Sequence, residues 1–131
     1  MTRSDDRFIT LAARTQMANR ARATIFVSIH ANAISMSRPD VNGVETFYFS
    51  GQGQRLAQSI QNSILQSIPM RNRGVKHARF DVLRTSSMPA ALVEVGFVTG
   101  AEDAPRLANP QFRSQMAQAI SRGILLYLQQ N

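Results

Sequence analysis

The stretch Ala91-Leu92-Val93-Glu94-Val95-Gly96-Phe97 constrains this chain more than any other. It is apolar at odd and even positions alike. As a strand it must therefore be covered on both faces, as in a parallel sheet held between helices. Thr24-Ile25-Phe26-Val27-Ser28-Ile29 has the same character through Phe26, Val27 and Ile29. Two such strands within 131 residues imply a layered α/β domain with one core.

The intervening segments agree. Arg7 to Arg22 carries Phe8, Leu11, Ala12, Thr15, Ala18 and Arg22 at spacings of three and four, which predicts a helix that Asp5 or Asp6 can cap. Ala31 to Asn42 reads as a loop around Arg38-Pro39-Asp40. Gly43 to Phe49 is rich in β-branched and aromatic residues and reads as a strand. Gln54 to Ile68 places Leu56, Ile60, Ile64 and Ile68 on one helical stripe, and Pro69 ends it. Asp81 to Arg84 is expected as a short strand. Pro110 to Gln129 is expected as a closing helix with Phe112, Met116, Ile120 and Ile124 facing inward and Pro110 in its first turn. The fold class is α/β, a mostly parallel sheet flanked by helices, in one domain over residues 1–131.

The chain opens almost directly into a helix, and its first strong strand is the kind that needs a further strand and crossover helix to cover it. The expectation is a domain entered partway, with an exposed sheet edge through which copies self-associate.

Composition excludes several chemistries. The absence of cysteine removes disulfides, thiolate metal sites and a cysteine nucleophile. No apolar run approaches the roughly 20 residues of a membrane helix, so membrane insertion is not expected. The first residues, Met1 to Asp6, lack the apolar core of a signal peptide. A formal charge of +7 is compatible with a polyanionic partner or with a basic solvated surface. The densest basic cluster, Arg71 to His77, has no interleaved aromatic residues on which bases could stack, so nucleic acid is not an expected partner.

His30 follows the first apolar strand, and Glu94 lies inside the second. An ionised carboxylate there is costly without a cation or hydrogen-bond donors. Both residues fall toward the C-terminal ends of their strands, the edge where open α/β sheets bind ligands. Two readings follow. The pair is a metal ligand and a general base, or His30 is a core histidine bonded to backbone and Glu94 is paired with an arginine such as Arg84. His77 is the other histidine and a further candidate ligand, on a loop before Asp81. Glu45 opens a strand and reads as an edge or surface charge that could also face the cleft. Glu102 and Asp103 read as capping or solvated residues of a short helix. No Ser-His-Asp arrangement is legible around Ser28.

The residues carry a specific resemblance. Ser28-Ile29-His30-Ala31-Asn32-Ala33 and Pro89-Ala90-Ala91-Leu92-Val93-Glu94-Val95-Gly96-Phe97 resemble the "SIHANA" and "PAxLVEVGF" segments of zinc-dependent N-acetylmuramoyl-L-alanine amidases. Thr2-Arg3 with Asp6, then Leu11, Arg14, Ala18 and Asn19, Gly43 to Thr46, Arg73 to Lys76, and Val82 to Arg84 follow in the same order. The resemblance covers essentially the whole chain. It implies His30 as a Zn2+ ligand and Glu94 as the catalytic base that takes a proton from the attacking water. It implies peptidoglycan or a muropeptide as substrate, cut between N-acetylmuramic acid and L-alanine, and a periplasmic or extracellular location. The family's other two zinc ligands, a histidine in a Gly-His-Gly-type turn and a glutamate on the first helix, precede the point where this chain begins. The expected missing section is one strand-helix-strand unit of roughly 30 residues or more, which implies weak zinc binding and little activity for this chain alone. Gly100 stands where the family usually has asparagine, a change expected to affect a loop or helix cap. The alternatives are a non-catalytic amidase-like domain that binds cell-wall peptide and a basic polyanion-binding domain in which His30 and Glu94 are structural.

Overall fold

The computed structural model describes residues 24–130. The predicted helix over Arg7 to Arg22 lies outside the described residues. The chain runs β1 (Phe26–Asn32), β2 (Val44–Tyr48), α1 (Gly51–Ser67), β3 (Asn72–His77), α2 (Asp81–Arg84), β4 (Ala90–Phe97), α3 (Asp103–Leu107) and α4 (Pro110–Gln130). The four strands form one sheet in the order β1-β4-β2-β3. β1 pairs parallel to β4 and β2 parallel to β3, while β2 and β4 meet antiparallel. The expected mostly parallel sheet is thus two parallel pairs joined back to back. β4 is central, as its two-sided apolar pattern requires. Among the described residues β1 and β3 are the two edge strands, and Ile29 of β1 is 57% exposed.

One face of the sheet packs on α1 and α4. Val44, Val93 and Val95 meet Leu56, Ile60 and Ile64 of α1 and Phe112, Met116 and Ile120 of α4 in a single core. Ser50 caps α1 by accepting from the Gly53 amide, satisfying a donor the helix cannot. At Gly123 a Cβ would fall 2.7 Å from the Ile60 Cα, so only glycine permits the α1–α4 approach seen there. Ser59 and Ser63 donate to the Gly123 and Ala119 carbonyls across the same seam. Buried Gln61 donates to the Val44 carbonyl and to Asn72 Oδ1 and accepts from the Thr46 hydroxyl, which ties α1 to β2 and β3.

The opposite face carries a smaller cluster of Val82, Leu83, Ala90 and Leu92, with Phe26 and Phe47 against it. Here the structure corrects an expectation. Asp81 to Arg84 is a helical turn, not a strand: the Leu83 and Arg84 amides donate to the Phe80 carbonyl and the Thr85 amide to that of Asp81. Asp81 in the first turn and Arg84 in the last complement the helix dipole and pair with each other at 3.1 Å. A four-residue segment with two apolar residues has too little length for periodicity to separate the two states.

Candidate functional site

Side chains alternate along a strand, so residues in register on neighbouring strands share a face. His30 is opposite Glu94 across the β1–β4 pairing, and Glu94 is opposite Glu45 across β4–β2. The three form one row on the α2 face of the sheet. On β1 and β4 this row lies toward the C-terminal ends, where His30 and Glu94 are expected to converge.

Ser28, two residues before His30 and therefore on the same face, places its Oγ 2.7 Å from His30 Nε2. Sequence reasoning set Ser28 aside as a nucleophile and missed this pairing, although the i, i+2 spacing in a strand contained it. Glu94 is half-buried and its Oε2 is buried without a hydrogen-bond partner. Burial pushes its carboxyl above the ordinary carboxylate range, and the charge of Glu45 pushes the same way. The alternative of a Glu94–Arg84 pair is not found: Arg84 is engaged with Asp81.

Glu45 is buried, not a surface charge. Lys76 Nζ lies 2.7 Å from its Oε2 and Arg73 Nε lies 3.5 Å from the same oxygen. The basic segment before Ala78 is strand β3, so His77 is not on a loop. His77 is in register with Tyr48, and its ring lies 5.6 Å from that of Tyr48 and 5.3 Å from that of Phe49. Because Lys76 shares the face of Glu45, the next residue points to the other face, and His77 does not join His30. Among the described residues no three His, Cys, Asp or Glu side chains are grouped as a metal site.

Asp103 also departs from expectation. It is buried, and its Oδ2 accepts from the Gly43 and Phe97 amides, pinning the start of β2 to the end of β4 beside the row. Asn42 Oδ1 accepts from the Glu102 and Asp103 amides and so caps α3. Glu102 pairs with Arg71 at 2.6 Å. Gly100 lies in the turn before α3, where a Cβ would collide with Asn42 Oδ1. That placement in a loop, away from the row, is the one expected.

Residues 1–125 match the sequence family described as N-acetylmuramoyl-L-alanine amidase. The chain belongs to that family. It is 41% identical over 131 residues to the N-acetylmuramoyl-L-alanine amidase LytC of Bacillus subtilis, a match that takes in 97% of this chain and 26% of LytC. It is 39% identical to the Bacillus subtilis protein YqiI, covering 98% of this chain and 63% of that one. Among solved structures, the amidase AmiC2 of Nostoc punctiforme superposes with a TM-score of 0.94 at 54% identity, over 98% of this chain and 71% of AmiC2. The catalytic domain of the amidase CwlV from Bacillus (Paenibacillus) polymyxa superposes at 0.89 and 36% identity, covering 98% of this chain and 70% of that one. The chain therefore spans between about a quarter and two thirds of these two curated relatives. Among the described residues no helix is long and apolar enough to cross a membrane.

Proposed function

We propose that this chain is the catalytic portion of a zinc-dependent amidase that hydrolyses the amide between N-acetylmuramic acid and L-alanine in peptidoglycan, and so works in the cell envelope. The observation that carries this reading is the in-register pairing of His30 with Glu94, whose buried Oε2 has no hydrogen-bond partner. A buried carboxylate oxygen left unsatisfied is expensive in a merely structural role. The residues fit a metal ion beside them: His30 is an imidazole donor, and an adjacent cation and water would satisfy Glu94.

His30 would hold the zinc. When bound, zinc lowers the pKa of a water toward neutrality and polarises the substrate carbonyl. The chain's own residues do the rest. The Ser28 hydroxyl orients the His30 ring. Glu94, raised above the ordinary carboxylate range by burial, is suited to accept the proton of the attacking water and return it to the departing amine of L-alanine. The row offers one imidazole, His30, and no three His, Cys, Asp or Glu side chains are grouped among the described residues, so the chain alone is expected to hold zinc weakly and to turn over little.

Elemental analysis and peptide release from purified peptidoglycan test this. They are applied to the chain itself and to a chimera carrying the part of AmiC2 that the chain does not cover. The chimera should hold one zinc and release peptide, and His30→Ala should remove both. A chimera that keeps its zinc in the His30→Ala variant refutes the ligand assignment. A zinc-loaded chimera that releases no peptide refutes the amidase reading.

A further inference from the structure

The carboxylate row sits where the regular ladder gives out. The antiparallel pairing of β2 with β4 runs from Tyr48 opposite Ala91 to Glu45 opposite Glu94 and ends there. Beyond that pair β4 carries an extra residue at Val95-Gly96, because His30 is in register with Glu94 and Asn32 with Phe97. On the other side of β2, Val44 is in register with Asn72 and Thr46 with Val75, so β3 bulges opposite Glu45. From Glu45 and Glu94, regular pairing of their two strands therefore continues in one direction only. Like charges directly opposite each other on neighbouring strands destabilise the pairing, and this pair stands at the end of its ladder, where local opening costs least.

The ties beyond the pair come from side chains. Asp103 is 2% exposed, and its Oδ2 accepts from the Gly43 amide at 2.7 Å and from the Phe97 amide at 2.9 Å. One oxygen thus joins the residue that leads into β2 to the residue that ends β4, in place of the next rung. Gly96 leaves room for it: a Cβ there would lie 3.1 Å from Oδ2, and the backbone adopts φ +151°. Asp103 is held in turn. The Ala104 amide donates to the Gly100 carbonyl and opens the turn into α3, but Gly100 has no side chain to cap the amides that follow. Asn42 supplies the oxygen instead. Its Oδ1 accepts from the Glu102 and Asp103 amides, both at 3.0 Å, and its Nδ2 donates to the Pro39 carbonyl. The Asn42 side chain holds the backbone of Asp103, and the Asp103 side chain holds the backbone of the residue after Asn42. This is the reciprocal logic of a capping box, built from two segments 60 positions apart rather than from one helix end.

We infer that Asn42 and Asp103 are positioning residues of the amidase site, whose reciprocal bonds hold Glu45 and Glu94 side by side at the open end of the ladder. This rests on the amidase reading above. Neither residue belongs to the row. Each acts through the backbone: Gly43 is two residues before Glu45, and Phe97 is three residues after Glu94. A reacting group displaced by about 1 Å can cost on the order of a hundredfold in rate, so the box bears on turnover as well as on stability.

The test uses the zinc-loaded chimera for kinetics and the chain itself for amide hydrogen exchange. Asp103→Ala removes the shared oxygen. Asp103→Asn keeps one oxygen able to take both amides, and Asn42→Ala removes only the cap. Ile60→Ala is the control, because it loosens the opposite face and touches none of these bonds. Asp103→Ala should lower kcat roughly 10–100-fold with KM and zinc content unchanged. Asp103→Asn should restore most of that loss, and Asn42→Ala should fall between. Ile60→Ala should keep the wild-type kcat at temperatures where it is folded. In the chain itself, Asp103→Ala should speed exchange of the Gly43 and Phe97 amides by about tenfold or more, and by a larger factor than the amides of α1. Wild-type kcat in folded Asp103→Ala overturns the positioning role, and where that variant does not fold, wild-type kcat in Asn42→Ala does so. A fall in Ile60→Ala as large as in Asp103→Ala overturns it too, since the loss would then follow stability alone. A zinc-loaded, unsubstituted chimera that releases no peptide overturns the amidase reading and the catalytic role together.

Discussion

The two faces of the sheet hold opposite chemistry at the same level of the same strands. On one side Val44, Val93 and Val95 press against α1 and α4 with almost no exposed surface. One residue along, on the other side, stand Glu45, Glu94 and His30. The apolar face contributes stability through burial and close packing. The polar face sets two carboxylates side by side and leaves one oxygen without a partner, an arrangement that costs stability. The difference teaches that the strands satisfy two demands through their alternation. The side under the helices holds the fold, and the side under α2 is free to hold strained, reactive groups.

Substitutions on each side should therefore fail differently. The largest effect expected is on turnover. In a zinc-loaded enzyme Glu94→Gln keeps shape and hydrogen-bonding capacity but cannot accept a proton, so the rate should fall by about 10²–10⁴ with zinc content nearly unchanged. Near-full turnover with Gln at this position would make Glu45 the next base to examine. On the opposite face, Ile60→Ala opens a cavity under the sheet, for which the expected loss is about 2–5 kcal/mol of stability, read by denaturant unfolding. A smaller value would mean that α1 and α4 close over the space.

Gly123→Ala probes the same face by addition. The new methyl would meet the Ile60 backbone at 2.7 Å, and overpacking of this kind typically costs about 1–3 kcal/mol. An unchanged melting temperature would show that the helix seam can slide.

The smallest effect distinguishes the faces most sharply. The Glu94 carboxyl is raised in the folded chain, so the folded state binds its proton more tightly than the unfolded state does. That contribution to stability is fully present below the ordinary carboxylate pKa and is lost as pH rises through the folded one. Glu94→Gln should therefore raise the melting temperature of the metal-free chain at neutral pH, and the gain should vanish near pH 4 and below. A variant less stable than wild type at neutral pH would mean that the ionised carboxylate has a stabilising partner.

Much of this was legible in sequence because it depends on period and polarity. The stripes Leu56-Ile60-Ile64 and Phe112-Met116-Ile120 face the core as their spacing requires. The two-sided apolar run around Glu94 is the central strand. A carboxylate in that run was conspicuous for a simple reason: its neighbours are all apolar. The basic segment Arg71 to His77 was opaque as a strand because it mixes charges with glycine and its bulge breaks the two-residue period. Glu45 read as a surface charge because its partners, Lys76 and Arg73, are about thirty positions away and only strand pairing brings them near.

The sequence by itself determined the α/β class, the helices at their faces, and His30 and Glu94 as the residues out of keeping with their surroundings. Local side-chain pattern is sufficient for each of these. Only the tertiary structure decided that the sheet is ordered β1-β4-β2-β3 with an antiparallel junction at its centre. That junction places Glu45 beside Glu94, and two bulges carry Arg73, Lys76 and Phe97 to the same side. Register is the physical reason. A shift of one residue along a strand exchanges its two faces, and the register between distant strands is fixed by the packing of the whole core rather than by either strand's own residues.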